Sequence, residues 1–82
     1  MANQETIAKE DMGVTKNHFN AVLNCRADAG YDLAKKASEF MGGTIEDWKY
    51  KDKGFDKHIR KARYRKYKAV KMLAEAEKEV NA

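Results

Sequence analysis

The sequence predicts an all-α fold, and three observations carry that expectation. Proline is absent, and the five glycines fall between the segments with helical apolar spacing rather than inside them. Within those segments apolar residues recur at steps of three and four, the period of one helix face. Alanine, lysine and glutamate, all strong helix formers, are abundant along the 82 residues.

The first predicted helix covers roughly residues 4–12, with Asn3 as N-cap, Glu5 in the first turn, and Ile7, Ala8 and Met12 sharing one face. Gly13 ends it, because glycine tolerates the left-handed backbone that a sharp turn between helices needs. A second helix runs from its cap Thr15 to about Asn24, with Phe19, Val22 and Leu23 on one stripe. Asn17, Asn20, Ala21 and Asn24 point the other way, flanked by Lys16 and His18. After the loop 25–30, Leu33, Ala34, Ala37, Phe40 and Met41 form the predicted inner face of a third helix, and Gly42 lies just past its end. Thr44 and Asp47 have capping-box spacing, so a short fourth helix is expected there, with Ile45 and Trp48 inward. Residues 49–54 read as a mobile break. From Phe55 to about Val80 nothing interrupts a long helix, whose stripe is Phe55, Ile59, Ala62, Ala69, Leu73, Ala76 and Val80, broken by Lys66. Residues 1–54 are thus expected to form a short bundle, and residues 55–82 a basic helix that packs on it or dimerises.

Composition narrows the function classes. A core this small usually needs a partner, a metal or disulfides. Cys25 is the only cysteine, so no intrachain bridge forms and the usual Cys/His zinc sites lack ligands. A reducing cytoplasm is the natural setting. No stretch approaches the roughly 18 consecutive apolar residues of a membrane helix, and the start lacks the profile of a signal peptide. Enzyme chemistry finds no support, since there is no glycine-rich phosphate loop, no nucleophile spaced from a base and no carboxylate pair in an apolar context. His18 and His58 read as surface residues, and no cofactor, metal or small-molecule substrate is expected.

Charge points elsewhere. Residues 1–54 carry 8 basic and 9 acidic side chains, whereas residues 55–82 carry 9 and 4. Nearly all of the excess lies between Lys57 and Lys71. A block of this kind suits a polyanion, nucleic acid first and a membrane surface second. Two short helices joined by a glycine turn, the second with a polar outer face, are also the layout of a helix-turn-helix. Asparagine pairs bidentately with an adenine edge, lysine reaches guanine acceptors or phosphate, and alanine lies against a thymine methyl. Thr15, Lys16, Asn17, Asn20, Ala21 and Asn24 are accordingly the candidate groove residues. Arg26, Arg60, Lys61, Arg63, Arg65 and Lys68 are the candidate backbone contacts.

Residues 6–48, "TIAKEDMGVTKNHFNAVLNCRADAGYDLAKKASEFMGGTIEDW", resemble the lambda repressor-like, Cro-type helix-turn-helix regulators, also called the XRE family. Gly13, Val14, Phe19, Val22, Asn24, Leu33, Ala34, Ala37, Gly42 and the "TIEDW" segment fall where that pattern places them. The interval from Ala8 to Gly13 is one residue longer than usual, Cys25 stands where glycine is common, and the pattern's first helix has no counterpart before residue 4. The resemblance implies a sequence-specific double-stranded DNA-binding protein, a small transcriptional regulator or repressor of phage or mobile-element type in the bacterial cytoplasm or nucleoid. The long last helix is the one segment able to cover the surface left by the absent first helix, either in cis or by pairing in a homodimer, which is the expected state. Two other functions fit the residues: a protein-interaction module docking through residues 55–80, and an architectural protein coating DNA without sequence preference.

Overall fold

A computed structural model describes residues 3–80, with side chains described as far as residue 77. The described residues are all-α: α1 (Gln4–Thr6), continuing as a π-helical turn (Ile7–Asp11), α2 (Lys16–Leu23), α3 (Tyr31–Met41), α4 (Ile45–Lys49) and α5 (Lys57–Val80). One core serves them all. Ile7, Ala8, Met12, Phe19, Val22, Leu23, Leu33, Ala34, Ala37, Met41, Trp48 and Tyr64 are buried together, so the first half of α5 belongs to the same packed unit as residues 4–49.

The caps follow the sequence closely. Asn3 Oδ1 accepts from Thr6 N at 2.9 Å, and Thr15 Oγ1 from His18 N at 3.2 Å. Thr44 and Asp47 form the reciprocal capping box. Trp48 is fully buried, and its indole N–H donates to Gly42 O at 2.8 Å.

The first helix departs from a plain α-helix. Met12 N bonds to Ile7 O at 3.1 Å, five residues back, and Val14 N to Ala8 O at 2.9 Å. A π-helical turn takes up one residue more than an α-turn. The inner side chains Ile7, Ala8 and Met12 all stay in the core, and Gly13 makes the turn at φ +70°.

The end of α2 is a Schellman motif, with Arg26 N bonded to Ala21 O at 2.8 Å and Cys25 N to Val22 O at 3.1 Å. Its left-handed position is held by Cys25 at φ 56°, the one non-glycine residue with positive φ among those described. A side chain costs about 1 kcal/mol or more there. Cys25→Gly is therefore expected to stabilise the protein by about 1 kcal/mol, raising Tm by roughly 4–8 °C in a thermal melt.

Three expectations about the helices need correction. Phe40 is 45% exposed rather than inward, its ring lying beside Tyr67 with centroids 5.7 Å apart. The last helix starts at Lys57, not Phe55, with Asp56 Oδ1 capping Ile59 N at 2.9 Å. Its stripe is also turned outward. Ile59, Ala62, Ala69, Leu73 and Ala76 are exposed, and the Val80 side chain lies outside the described residues. The face that meets the core consists of Arg60, Tyr64, Tyr67 and Lys71, also spaced by four, three and four. Phe55 packs from the preceding loop, edge-on to Trp48 at 5.7 Å. That loop, expected as a mobile break, is tied at several points: Ala29 N to Lys49 O at 2.9 Å, Lys51 N to Asp28 Oδ1 at 2.8 Å and Phe55 N to Asp47 O at 3.1 Å.

The far end of the core-facing row is polar. Asp11, at the end of the π-turn, accepts from Tyr67 Oη at 2.7 Å and from the Lys71 ammonium, so this one carboxylate ties α5 to the first helix across 56 and 60 positions of sequence. Burial pushes the Asp11 carboxyl up, but the hydrogen bonds from Lys71 and Tyr67 and the Lys71 charge outweigh it, leaving the carboxyl below its ordinary range. Burial first, and then the Asp11 contact, push the Tyr67 phenol up. The Asp11 contribution to stability is thus complete above about pH 4 and disappears as pH falls through the lowered folded-state value. Asp11→Ala is expected to cost about 2 kcal/mol at pH 7 and progressively less as pH falls below about 4, read from urea midpoints over a pH series.

Candidate nucleic-acid interface

α2 is held from one side only. Phe19, Val22 and Leu23 are at most 3% exposed, and Phe19 meets Tyr64 of α5 edge-on with centroids 5.4 Å apart. This fixes the rotation of the helix. Lys16 and Asn17 are exposed on its outer side, and Asn20, Ala21 and Asn24 are half-buried along the same face.

The amides on that face form a connected row. Gln4 Nε2 donates to Asn20 Oδ1 at 3.2 Å. Asn24 Nδ2 donates to the same oxygen at 3.3 Å and to Asn20 O at 2.8 Å. The Asn20 carbonyl oxygen is therefore engaged, and its NH2 group is the part left to read an acceptor. The Thr15 hydroxyl already caps α2, and Arg26 is exposed just beyond the Schellman turn. Gln4 carries no local signal of its place, because it meets Asn20 through tertiary packing 16 positions away in sequence.

α5 splits the basic block into three groups. Lys61, Arg65 and Lys68 lie in one row at steps of four and three, and Lys61 and Lys68 flank Tyr64, the residue that meets α2. Arg65 is exposed, and Lys61 and Lys68 are half-buried.

Arg60 does not belong with them, which corrects its assignment as a backbone contact. It is fully buried, and its guanidinium is consumed by main-chain carbonyls. Nε donates to Phe55 O at 2.8 Å and Nη1 to Val22 O at 2.9 Å; Nη2 reaches Tyr50 O at 2.7 Å and Asp47 O at 3.2 Å. Val22 is in the last turn of α2, and Asp47 and Tyr50 lie at the end of α4. The last turn of a helix leaves carbonyls without intrahelical donors and carries partial negative charge, so one arginine answers two helix ends. Its guanidinium also lies 5.7 Å from the Trp48 ring centre.

Arg63, half-buried, is the third group. Nη1 donates to Met41 O at the end of α3 at 3.2 Å, and the guanidinium stacks 4.5 Å from the Phe55 ring centre. One of its nitrogens thus answers a third helix terminus.

Among the described residues no group of three or more His, Cys, Asp or Glu side chains is gathered to hold a metal ion, and no helix is long and apolar enough to cross a membrane. Comparisons with protein-family models, with curated proteins and with solved structures found no match to this chain.

Proposed function

We propose that the protein binds double-stranded DNA sequence-specifically, as a homodimeric regulator of lambda repressor-like type, by inserting the outer face of α2 into the major groove. The observation that carries this reading is a rigidly held helix whose exposed start presents Lys16 and Asn17, with the Asn20 NH2 on the same face. Asn17 and Asn20 supply adenine-edge recognition, Lys16 reaches guanine or phosphate, and Ala21 meets a thymine methyl. Lys61, Arg65, Lys68 and Arg26 follow the phosphates, which sets register without reading sequence. Two copies would address half-sites about one helical turn, roughly 34 Å, apart. The setting of such a regulator is the bacterial cytoplasm or nucleoid.

Fluorescence anisotropy with duplexes selected from a random pool tests this. Replacing Lys16, Asn17 and Asn20 together by alanine is expected to erase discrimination between selected and unrelated duplexes, while the salt-dependent non-specific component persists. Equal affinity of the native protein for all duplexes would favour architectural coating instead. Selection of no duplex at all would refute the DNA reading.

A further inference from the structure

We propose that the outer face of α5 is a self-association seam on which a second copy of this chain lies antiparallel, with Ile59 opposite Ala76, Ala62 opposite Leu73 and Lys66 opposite Ala69 of the second copy. The use made of this seam rests on the DNA reading; its existence does not.

The seam is the face that the fold leaves over. α5 meets its own domain through Arg60, Tyr64, Tyr67 and Lys71, and Ile59 and Leu73 on the other side are 41% and 63% exposed. Residues 59, 62, 66, 69, 73 and 76 alternate steps of three and four over about two and a half heptads, the spacing of a two-helix seam about 27 Å long. Val70, 60% exposed, borders it.

Side-chain size and charge select the orientation. One set of seam positions is alanine throughout, at 62, 69 and 76, and the other is long, with Ile59, Lys66 and Leu73. A parallel pair would set alanine against alanine and long against long. It would also bring Lys66 onto its own copy and the two basic segments side by side. In the antiparallel register each long side chain faces an alanine, which fills the seam evenly.

The symmetry has a consequence for the interface described above. The two-fold axis of an antiparallel pair is perpendicular to the plane of the two helices, so it keeps each flank of α5 on the same side of the dimer. The rows Lys61, Arg65 and Lys68 of both copies therefore share one surface.

Sedimentation equilibrium at micromolar concentration, without DNA, is expected to show a dimer. Leu73→Glu should weaken self-association at least about tenfold, and Lys66→Leu should strengthen it by about as much, since each changes a seam residue. Both positions are exposed in the single chain, so the far-UV circular dichroism should be unchanged. Orientation is read in a Cys25→Ser background by mixing Ala62→Cys and Leu73→Cys proteins. A disulfide between the two variants, with neither crosslinking to itself, supports the register. Leu73→Cys crosslinking to itself would overturn it, and a monomeric native chain, or a Leu73→Glu dimer of native affinity, would overturn the seam. A dimer that ignores duplex DNA would support the seam and refute the DNA reading.

Discussion

Arg60→Met is expected to cost about 3–5 kcal/mol, most of the stability of a domain this size. Methionine matches the length of the stem and leaves little cavity, so the loss comes from the carbonyls. Val22 O, Asp47 O, Tyr50 O and Phe55 O lose a buried donor together. Val22 O and Asp47 O keep the main-chain donors Cys25 N and Phe55 N, so the loss falls chiefly on Tyr50 O and Phe55 O, at about 1–3 kcal/mol for each buried acceptor left unsatisfied. Arg60→Lys should recover only part, because one ammonium on a flexible stem lacks the planar fork that spans two helix ends. Urea denaturation followed by circular dichroism checks both variants. Lys61→Ala and Lys68→Ala provide the contrast: each should leave the urea midpoint within about 0.5 kcal/mol of native while weakening duplex binding and flattening its salt dependence. One basic block thus holds residues that fail in opposite assays.

Gly54→Ala is the second large effect, expected at about 2–4 kcal/mol. Gly54 sits at φ +73°, and a Cβ there would lie 2.4 Å from Asp47 Cα and 2.8 Å from Asp47 O. Both contacts are backbone, so no side chain can swing away. The strand of loop carrying Gly54 also sets Phe55 against Trp48 and delivers the Phe55 carbonyl to Arg60. Displacing it therefore disturbs the junction of α4 and α5 as a whole. Gly54→Asn separates the two causes. Asparagine tolerates the left-handed backbone but keeps the Cβ, so a loss close to that of alanine assigns the cost to the clash, and a near-native midpoint assigns it to conformation.

What the sequence revealed and what it hid follow one physical division. Caps and turns are local, and Thr15, the Thr44/Asp47 box and the Gly13 turn appear in the structure as their spacing predicts. Trp48 was legible as a core anchor because it shares its helix face with Ile45 beside a cap. The orientation of α5 was not. Two rows on that helix have the same three-and-four spacing, and hydropathy favours Ile59, Ala62 and Leu73 over Arg60, Tyr64 and Lys71. The choice is decided by something outside the helix: the ends of α2, α3 and α4 converge on its first two turns, and their carbonyls need donors more than the core needs another leucine. Phe40 was misplaced for a related reason, since Met41 and the Tyr67 ring already close that end of the core. Among the candidate site residues, Lys16, Asn17 and Asn20 share a face as the helical period requires, whereas the division of the basic block into surface and structural arginines needs the tertiary fold.

Whether the outer face of α2 meets DNA is tested most directly by an amide-resolved NMR titration of the labelled protein with a short selected duplex. The largest shifts are predicted at Lys16, Asn17 and the side-chain amides of Asn20 and Gln4, with smaller ones at Lys61, Arg65 and Lys68 and none at Ile59 or Leu73. Shifts confined to the outer face of α5, with α2 silent, would contradict the claim and assign the protein's partner to that helix instead.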